Sequence, residues 1–495
     1  MKRYLHLLII AAICATACKK LDLTTPDKLS TKVFWKTEGD ADLALTGLYA
    51  TLYGPNGQVS VFAPMWWDSF SDNSFTQNNQ GGAQQSLTAG LTSTVGGFPT
   101  SNDQSLYVLC YKGIAASNSF LANVEKVLSG DKLNQYKGEA YFIRAFHYFM
   151  LAQTYGNVPL VTEDPLAITD FKQKVAKSPR AEILKLIEAD LDQAISGLPA
   201  AKYTSGHVVK ASAQGMKVRV LMFEKKFPEA AALAKTIIDD GLFALNSTYD
   251  GNFYKPDQRS SPEIMFSIQF QAPSVPHEFA ITTVIIGSGY KDLQGTQDMI
   301  DEYEANDPRK TMSFFFPGDT PAQGWPFPGT VGTPGVNNWT KGYYPAKKWL
   351  DPKLINPQPG MLDDQDYVWL RYADIKLMYA EAQNEVAGPD ASVYQQVNEV
   401  RARPGVNMPV LPAGLSQADM RERIRHERRV EFALEGLRYF DLRRWGIAQQ
   451  TLNGFVQNPL TPNLKTIYRS QFEYWPLPQI EVDRNAPVLI QNEGY

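Results

Sequence analysis

The chain has 495 residues, 44% hydrophobic and 20% charged, which is enough apolar material for a sizeable globular core. Its formal net charge of −4, from 48 basic and 52 acidic residues, excludes the basic footprint of a nucleic-acid-binding protein. Three cysteines in a chain of this size offer no evident disulfide framework.

Lys2 and Arg3 open the chain, and an apolar run from Leu5 to Ile13 follows, broken only by His6. Ala15, Thr16 and Ala17 close it. A charged start, a short apolar core and a small-residue end make a secretory signal peptide over 1–17. The run is too short to span a bilayer, which takes about 20 apolar residues. Cys18 comes directly after the small residues. That order resembles the lipobox of bacterial lipoproteins, in which cleavage precedes the cysteine and its thiol carries lipid. Ala15 stands where the commonest lipobox has leucine. The alternative is an ordinary signal peptide cut near Ala17, with Cys18 incidental. Residues 18–30 are polar, are interrupted by Pro26, and read as a lipidated tether. A single binding domain is expected over 31–495.

From Thr37 the pattern becomes helical. "TEGDADLALTGLYATLYG" sets Ala41, Leu45, Leu48 and Leu52 near one face, and Gly54–Pro55 stops it. "FAPMWWDSFSDNSFTQNNQGG" then places Trp66 and Trp67 beside Asp68, Asp72, Asn73, Asn78 and Asn79. Apolar ring faces beside amides and carboxylates suit sugars, because rings stack on C–H faces while polar groups meet the hydroxyls. The competing reading is that these rings pack loops onto helices. Cys110 in "SLYVLCYKGI" reads as a small buried hydrophobe.

"GEAYFIRAFHYFMLAQTYGNVP" is a stronger helix, with Ile143, Phe146 and Met150 at helical spacing and a stop at Gly156 and Pro159. "ASAQGMKVRVLMFEKKFPEAAALAKTIIDDG" gives two helices with a break at Lys226 to Pro228. "VWLRYADIKLMYAEAQNEVAG" and "ASVYQQVNEVRARPG" give a second pair. Helical pairs with small residues at their contacts resemble tetratricopeptide repeats. The fold class is therefore mainly α: tetratricopeptide-like helical pairs, a loop-rich insertion over about 245–365, and few short strands. Within the insertion only "EIMFSIQF" and "ITTVII" look like strands. A second aromatic group, Trp325, Trp339, Tyr343 and Tyr344, falls there.

Catalytic and metal signals are weak. The five histidines are widely separated, and "HERRV" at His426 has Val430 where a zinc motif needs its second histidine. Asp363, Asp364 and Asp366 lack the glycine and distal glutamate of a calcium loop and read as a solvated acidic loop. No phosphate loop or dinucleotide fingerprint is present in the sequence, so no cofactor is expected. A pair of carboxylates distant in sequence remains open for glycoside hydrolysis. Ile424 to Gly446 mixes six arginines with Glu427, Glu431, Glu435 and Asp441. The glutamates recur every four residues, with Arg428 and Arg438 three residues from Glu431 and Glu435, and Val430, Ala433, Leu434 and Leu437 form an adjacent apolar face. This pattern reads as a structural charge network.

Several long motifs in order carry a family resemblance: the "FWKTEGDADLALTGLYA" start, "GEAYFIRAFHYFMLAQTYGNVPLV", "WLRYADIKLMYAEAQNEVAG…VNEVRARPGV", "RIRHERRVEFALEGLRYFDLRRWG" and "YWPLPQIEVDRNA". Together they resemble the SusD/RagB family of Bacteroidetes surface lipoproteins over nearly the whole chain. The resemblance implies a lipid-anchored, surface-exposed outer-membrane protein with ligand-binding loops on a tetratricopeptide-like scaffold. It implies a SusC-like TonB-dependent transporter as partner, and capture of oligosaccharides, or of peptides in the RagB branch, without catalysis. Against this stand a surface glycan hydrolase and a tetratricopeptide adaptor that binds only proteins.

Overall fold

The structure is a computed structural model that describes residues 34–53, 62–76, 105–168, 173–254, 257–277, 293–316, 344–349, 363–459 and 461–495. The signal-peptide and tether expectations, Cys18 included, lie outside the described residues, as does "ITTVII".

Helix α1 (Glu38–Ala50) begins where Thr37 and Asp40 cap one another: the Thr37 hydroxyl accepts from the Asp40 amide, and the Asp40 carboxylate accepts from the Thr37 amide at 2.8 Å. Ala41, Leu45 and Leu48 bury its inner face. Helix α2 (Leu106–Asn123) starts at Ser105, whose hydroxyl accepts from the Val108 amide at 3.2 Å. Helix α3 (Gly130–Tyr155) is polar in its first two turns and then buried on nearly every side from Gly138 onward, as expected of a helix with neighbours all round.

Next come α4 (Arg180–Gly197), α5 (Lys210–Phe223) and α6 (Phe227–Asp239), then, after the insertion, α7 (Tyr372–Ala387), α8 (Ala391–Arg401) and α9 (Gln417–Glu431). Helix α3 packs on α4, α4 on α5, α5 on α6, α6 on α7, and α7 on both α8 and α9. Each helix thus leans on its neighbours in sequence, the hallmark of a solenoid of helical pairs. The α3–α4 contact depends on a small residue: a Cβ on Gly197 would sit 2.4 Å from the Asn134 carbonyl oxygen. A smaller apolar core, with Ala373, Leu377, Val393, Val397, Met420 and Ile424, fills the space between α7, α8 and α9.

Three expectations need correction. The break in the first helical pair falls at Glu224–Lys226, where Lys225 takes φ +60°, and Pro228 lies inside the first turn of α6. Proline is tolerated there because first-turn amides have no intrahelical acceptor. The leading "VWLR" of the second pair is not helical: it belongs to a strand, Tyr367–Arg371, and the helix starts at Tyr372. The charged helix ends at Glu431, and Leu434 at φ +65° turns the chain so that Glu435 leaves the stripe.

Five short strands are described. Strands β2 (Ile264–Ile268) and β5 (Tyr367–Arg371) pair antiparallel and are buried throughout. Strand β3 (Gln294–Gly295) lies between β1 (Ser74–Phe75) and β4 (Tyr344–Pro345), antiparallel to both.

Candidate functional site

The small β1–β3–β4 sheet joins the two aromatic segments that the sequence keeps far apart. Gly295 is in register with Ser74 on one side and Tyr344 on the other. Directly paired residues in antiparallel strands stand only about 4.5–5.5 Å apart. The turn before β1 is tied to the same strand: the Thr296 amide donates to the Asn73 carbonyl at 3.0 Å, and the Thr296 hydroxyl donates to the Asp72 carbonyl. The segment 77–104 leaves just after β1, 278–292 enters just before β3, and 317–343 enters β4.

The first aromatic cluster packs inward. Trp67 is wholly buried, with its ring 5.0 Å from Phe440 and 5.5 Å from Trp475, and Trp66 is 8% exposed. Neither indole presents an open face on which a sugar could stack, so the ligand-platform expectation is corrected for both. The polar neighbours are committed as well. Asp72 accepts from Arg438 at 2.7 and 2.9 Å and pairs with Arg429 at 3.0 Å. Burial raises the Asp72 pKa, but Arg429 and Arg438 outweigh it and hold the carboxyl below its usual range. Asn73 Oδ1 accepts from Arg429 Nε at 3.0 Å. The amide of Gln457 donates to the carbonyls of Ser69, Ser71 and Ser74, which fixes the turn from behind. Asp72 and Asn73 are therefore structural, because their acceptors are taken up by arginines from the other end of the chain. Asp68 is fully buried and accepts from the Leu434 amide, and burial pushes its carboxyl up to about 7.

Of the second cluster only Tyr344 is described; Trp325, Trp339 and Tyr343 lie outside the described residues. Tyr344 is half-buried, its hydroxyl donates to Gln297 Oε1 at 2.8 Å, and its ring lies 5.4 Å from Phe316. Its part-open ring stands where the segment 317–343 rejoins the sheet. The acidic loop is also corrected. Asp363 and Asp366 are buried rather than solvated, with Asp366 accepting from the Phe270 amide at 2.9 Å and pairing with Arg259 at 3.4 Å. Among the described residues no cluster of three or more histidine, cysteine or acidic side chains could hold a metal ion.

Two family models divide the chain between them. One, described as "SusD family", matches residues 249–495; the other, "Starch-binding associating with outer membrane", matches 27–221. The chain belongs to the SusD family. "SusD-like protein P2" of Formosa agariphila is 24% identical over 526 residues and covers the whole of both chains. The fold is shared with a SusD-like carbohydrate-binding protein from Bacteroides fragilis, at TM-score 0.79 and 24% identity, covering 92% of this chain and 99% of that one. A laminarin-binding SusD-like protein aligns at TM-score 0.74 and 21% identity, over 93% of this chain and 100% of that one.

In this SusD-family chain the C-terminal match contains a buried charge network. Glu431 accepts from Arg371 at 2.7 Å, Arg403 at 2.8 Å and Arg309 at 2.9 Å. Glu263 shares Arg371 and Arg403, Glu427 joins Arg309 to Arg401, and Glu435 takes Arg371 and Lys348. The expected partners were wrong in detail: Arg428 pairs with Asp374 and Asp441, and Arg438 with Asp72. Burial raises Glu431, yet Arg403, Arg371 and Arg309 overcome it and hold the carboxyl far below the usual range. The network stitches the insertion (Glu263, Arg309, Lys348) to α8–α9 and the turn after it. Sequence reasoning missed Thr296, Gln457 and Arg309 because each acts on residues remote in sequence, and no local pattern marks them.

Proposed function

We propose that this protein is a non-enzymatic, lipid-anchored outer-membrane lipoprotein that captures glycans at the cell surface and hands them to a TonB-dependent transporter. The observation that carries the reading is the agreement of fold and family: SusD-type models match both parts of the chain, and two of its structural neighbours are described as carbohydrate-binding and laminarin-binding. The ligand site of this reading lies where the sequence runs into the β1–β3–β4 sheet, with Tyr344 on the sheet and Trp325, Trp339 and Tyr343 as candidate stacking rings. Aromatic stacking on sugar C–H faces, with polar groups meeting the hydroxyls, is the recognition chemistry. Cys18 is the lipid attachment site, and the SusC-like transporter is the partner over which the protein acts as a lid.

Affinity electrophoresis and calorimetry against starch, laminarin, other neutral polysaccharides and peptides test this reading. Binding of at least one glycan without turnover supports it. Release of reducing ends would favour a hydrolase, and binding of peptides alone would favour the RagB-like alternative.

A further inference from the structure

Arg180 stands apart from the other arginines. Among the described residues, every other arginine that is not exposed has a carboxylate ion-pair partner; Arg180 is half-buried and has none. Its backbone amide donates to Asn157 Oδ1 at 2.8 Å, but its guanidinium makes no hydrogen bond to a described residue. The guanidinium lies 5.2 Å from the Phe223 ring centre and 5.5 Å from that of Tyr474. Rings satisfy the faces of a guanidinium and leave its N–H donors, which lie in its plane, free for a planar acceptor.

Arg180 lines a cleft of about 900 Å³ between the end of α3, the start of α4 and the C-terminal segment 470–494. That volume lies in the range of small-molecule sites, roughly 300–1,000 Å³. Lys177 lines the same cleft and meets only neutral acceptors, the Gln491 carbonyl at 3.1 Å and Asn492 Oδ1 at 3.0 Å. Tyr474 is held from its other neighbour as well, with the Arg443 guanidinium 5.5 Å from its centre. The acidic lining is weaker: Glu473 is drawn toward Arg443 at 3.8 Å, and Glu493 is exposed at the rim. Ser470 and Gln471 add hydroxyl and amide groups that can both donate to and accept from saccharide hydroxyls.

We propose that this cleft is a second binding site, for an acidic saccharide whose carboxylate pairs with Arg180 while Lys177 adds charge and Ser470 and Gln471 meet hydroxyls. It shares no residue with the β1–β3–β4 sheet and goes beyond the neutral-glycan reading. A bidentate guanidinium–carboxylate contact supplies the specificity, and a neutral sugar of the same shape leaves those donors unmatched.

Calorimetry on the whole chain tests the assignment, with hexagalacturonate, its carboxyl-reduced counterpart and inorganic phosphate as probes. Hexagalacturonate is expected to bind, with affinity at least about tenfold weaker after carboxyl reduction or in Arg180→Gln. Glu493→Lys, a change at an exposed rim position, is expected to tighten binding about threefold by removing a like charge. It also carries the test should Arg180→Gln fail to fold. Laminarin and starch binding should be unchanged in both variants, which separates this site from the one on the sheet. Several results would overturn the proposal: no hexagalacturonate binding, equal affinity for the reduced oligomer, no response to Arg180→Gln or to Glu493→Lys, or phosphate binding as tightly as the hexamer.

Discussion

Glu431 and Arg371 meet at 2.7 Å with both side chains shut off from solvent. The same Glu431 oxygen also accepts from Arg403, and the other from Arg309. Exchanging it for an uncharged amide leaves three guanidiniums crowded around a group that cannot balance them. Glu431→Gln should therefore cost about 3–5 kcal/mol, the usual result of removing one partner from a buried ion pair. Urea unfolding measures it. By contrast Glu422→Gln, which loosens the exposed pair to Arg425, should change stability by about 0.5 kcal/mol or less.

The pH response follows from His147. The Thr51 hydroxyl donates to the Leu48 carbonyl at 2.6 Å, so His147 Nε2 must donate to Thr51 Oγ1 at 2.9 Å. Nδ1 is then the bare acceptor, and it is buried with no hydrogen-bond partner. Protonation would create an unsatisfied buried cation, and burial accordingly pushes the imidazole down to about 3. Between that value and about 6.5 the unfolded chain binds the extra proton and the native chain does not, so the contribution of neutral His147 to stability is complete above pH 6.5 and falls as pH drops. Asp374 acts further into acid. Burial alone would raise it, but Arg219 and Arg428 bring it down to about 2, so its contribution is lost only below the ordinary carboxyl range. Thermal melts from pH 8 to 4 should show a decline beginning near 6.5, and His147→Gln should flatten it; an unchanged slope in the variant would exclude His147 as its source.

Gly113 makes room for the same ring. A Cβ at this position would sit 2.0 Å from His147 Nε2, and that ring, which α3 carries, is fully buried. Gly113→Ala should destabilise by about 1–3 kcal/mol through overpacking, although alanine is the better helix former. A variant melting as high as the parent would show that α2 can shift away from α3.

The scaffold was largely legible in the sequence. Apolar spacing, the Thr37 start and the Gly156 stop announced α1 and α3, and the two later helical pairs emerged within a few residues. The polar partners were not. Glu427 and Glu431 looked like one helical stripe because periodicity reports only a helix's own faces, whereas their cations come from Arg309, Arg371, Arg401 and Arg403. Trp66 and Trp67 could not be assigned for the same reason. Tryptophans beside asparagines read as a sugar platform until Trp475, Tyr439 and Phe440 arrive from the far end of the chain to pack on Trp67, with Trp66 buried beside it.

The two aromatic clusters should therefore separate in experiment. Trp67→Ala removes a wholly buried ring and should cost about 3–5 kcal/mol of stability. Tyr344→Ala removes a half-buried ring at the sheet and should cost less in stability while weakening glycan binding several-fold. Denaturation and affinity electrophoresis on both variants check the pair. A stable Trp67→Ala protein with impaired glycan binding would reverse the assignment.

The most direct measurement is calorimetric titration of laminarin and starch oligosaccharides into the parent chain and into the variant carrying Trp325→Ala, Trp339→Ala and Tyr343→Ala together. Saturable binding by the parent, lost in the variant while its melting temperature holds, is the outcome expected of a glycan-capturing lipoprotein that binds through these three rings. Equal binding by parent and variant would contradict that site, and no binding of any glycan by the parent would contradict the function itself.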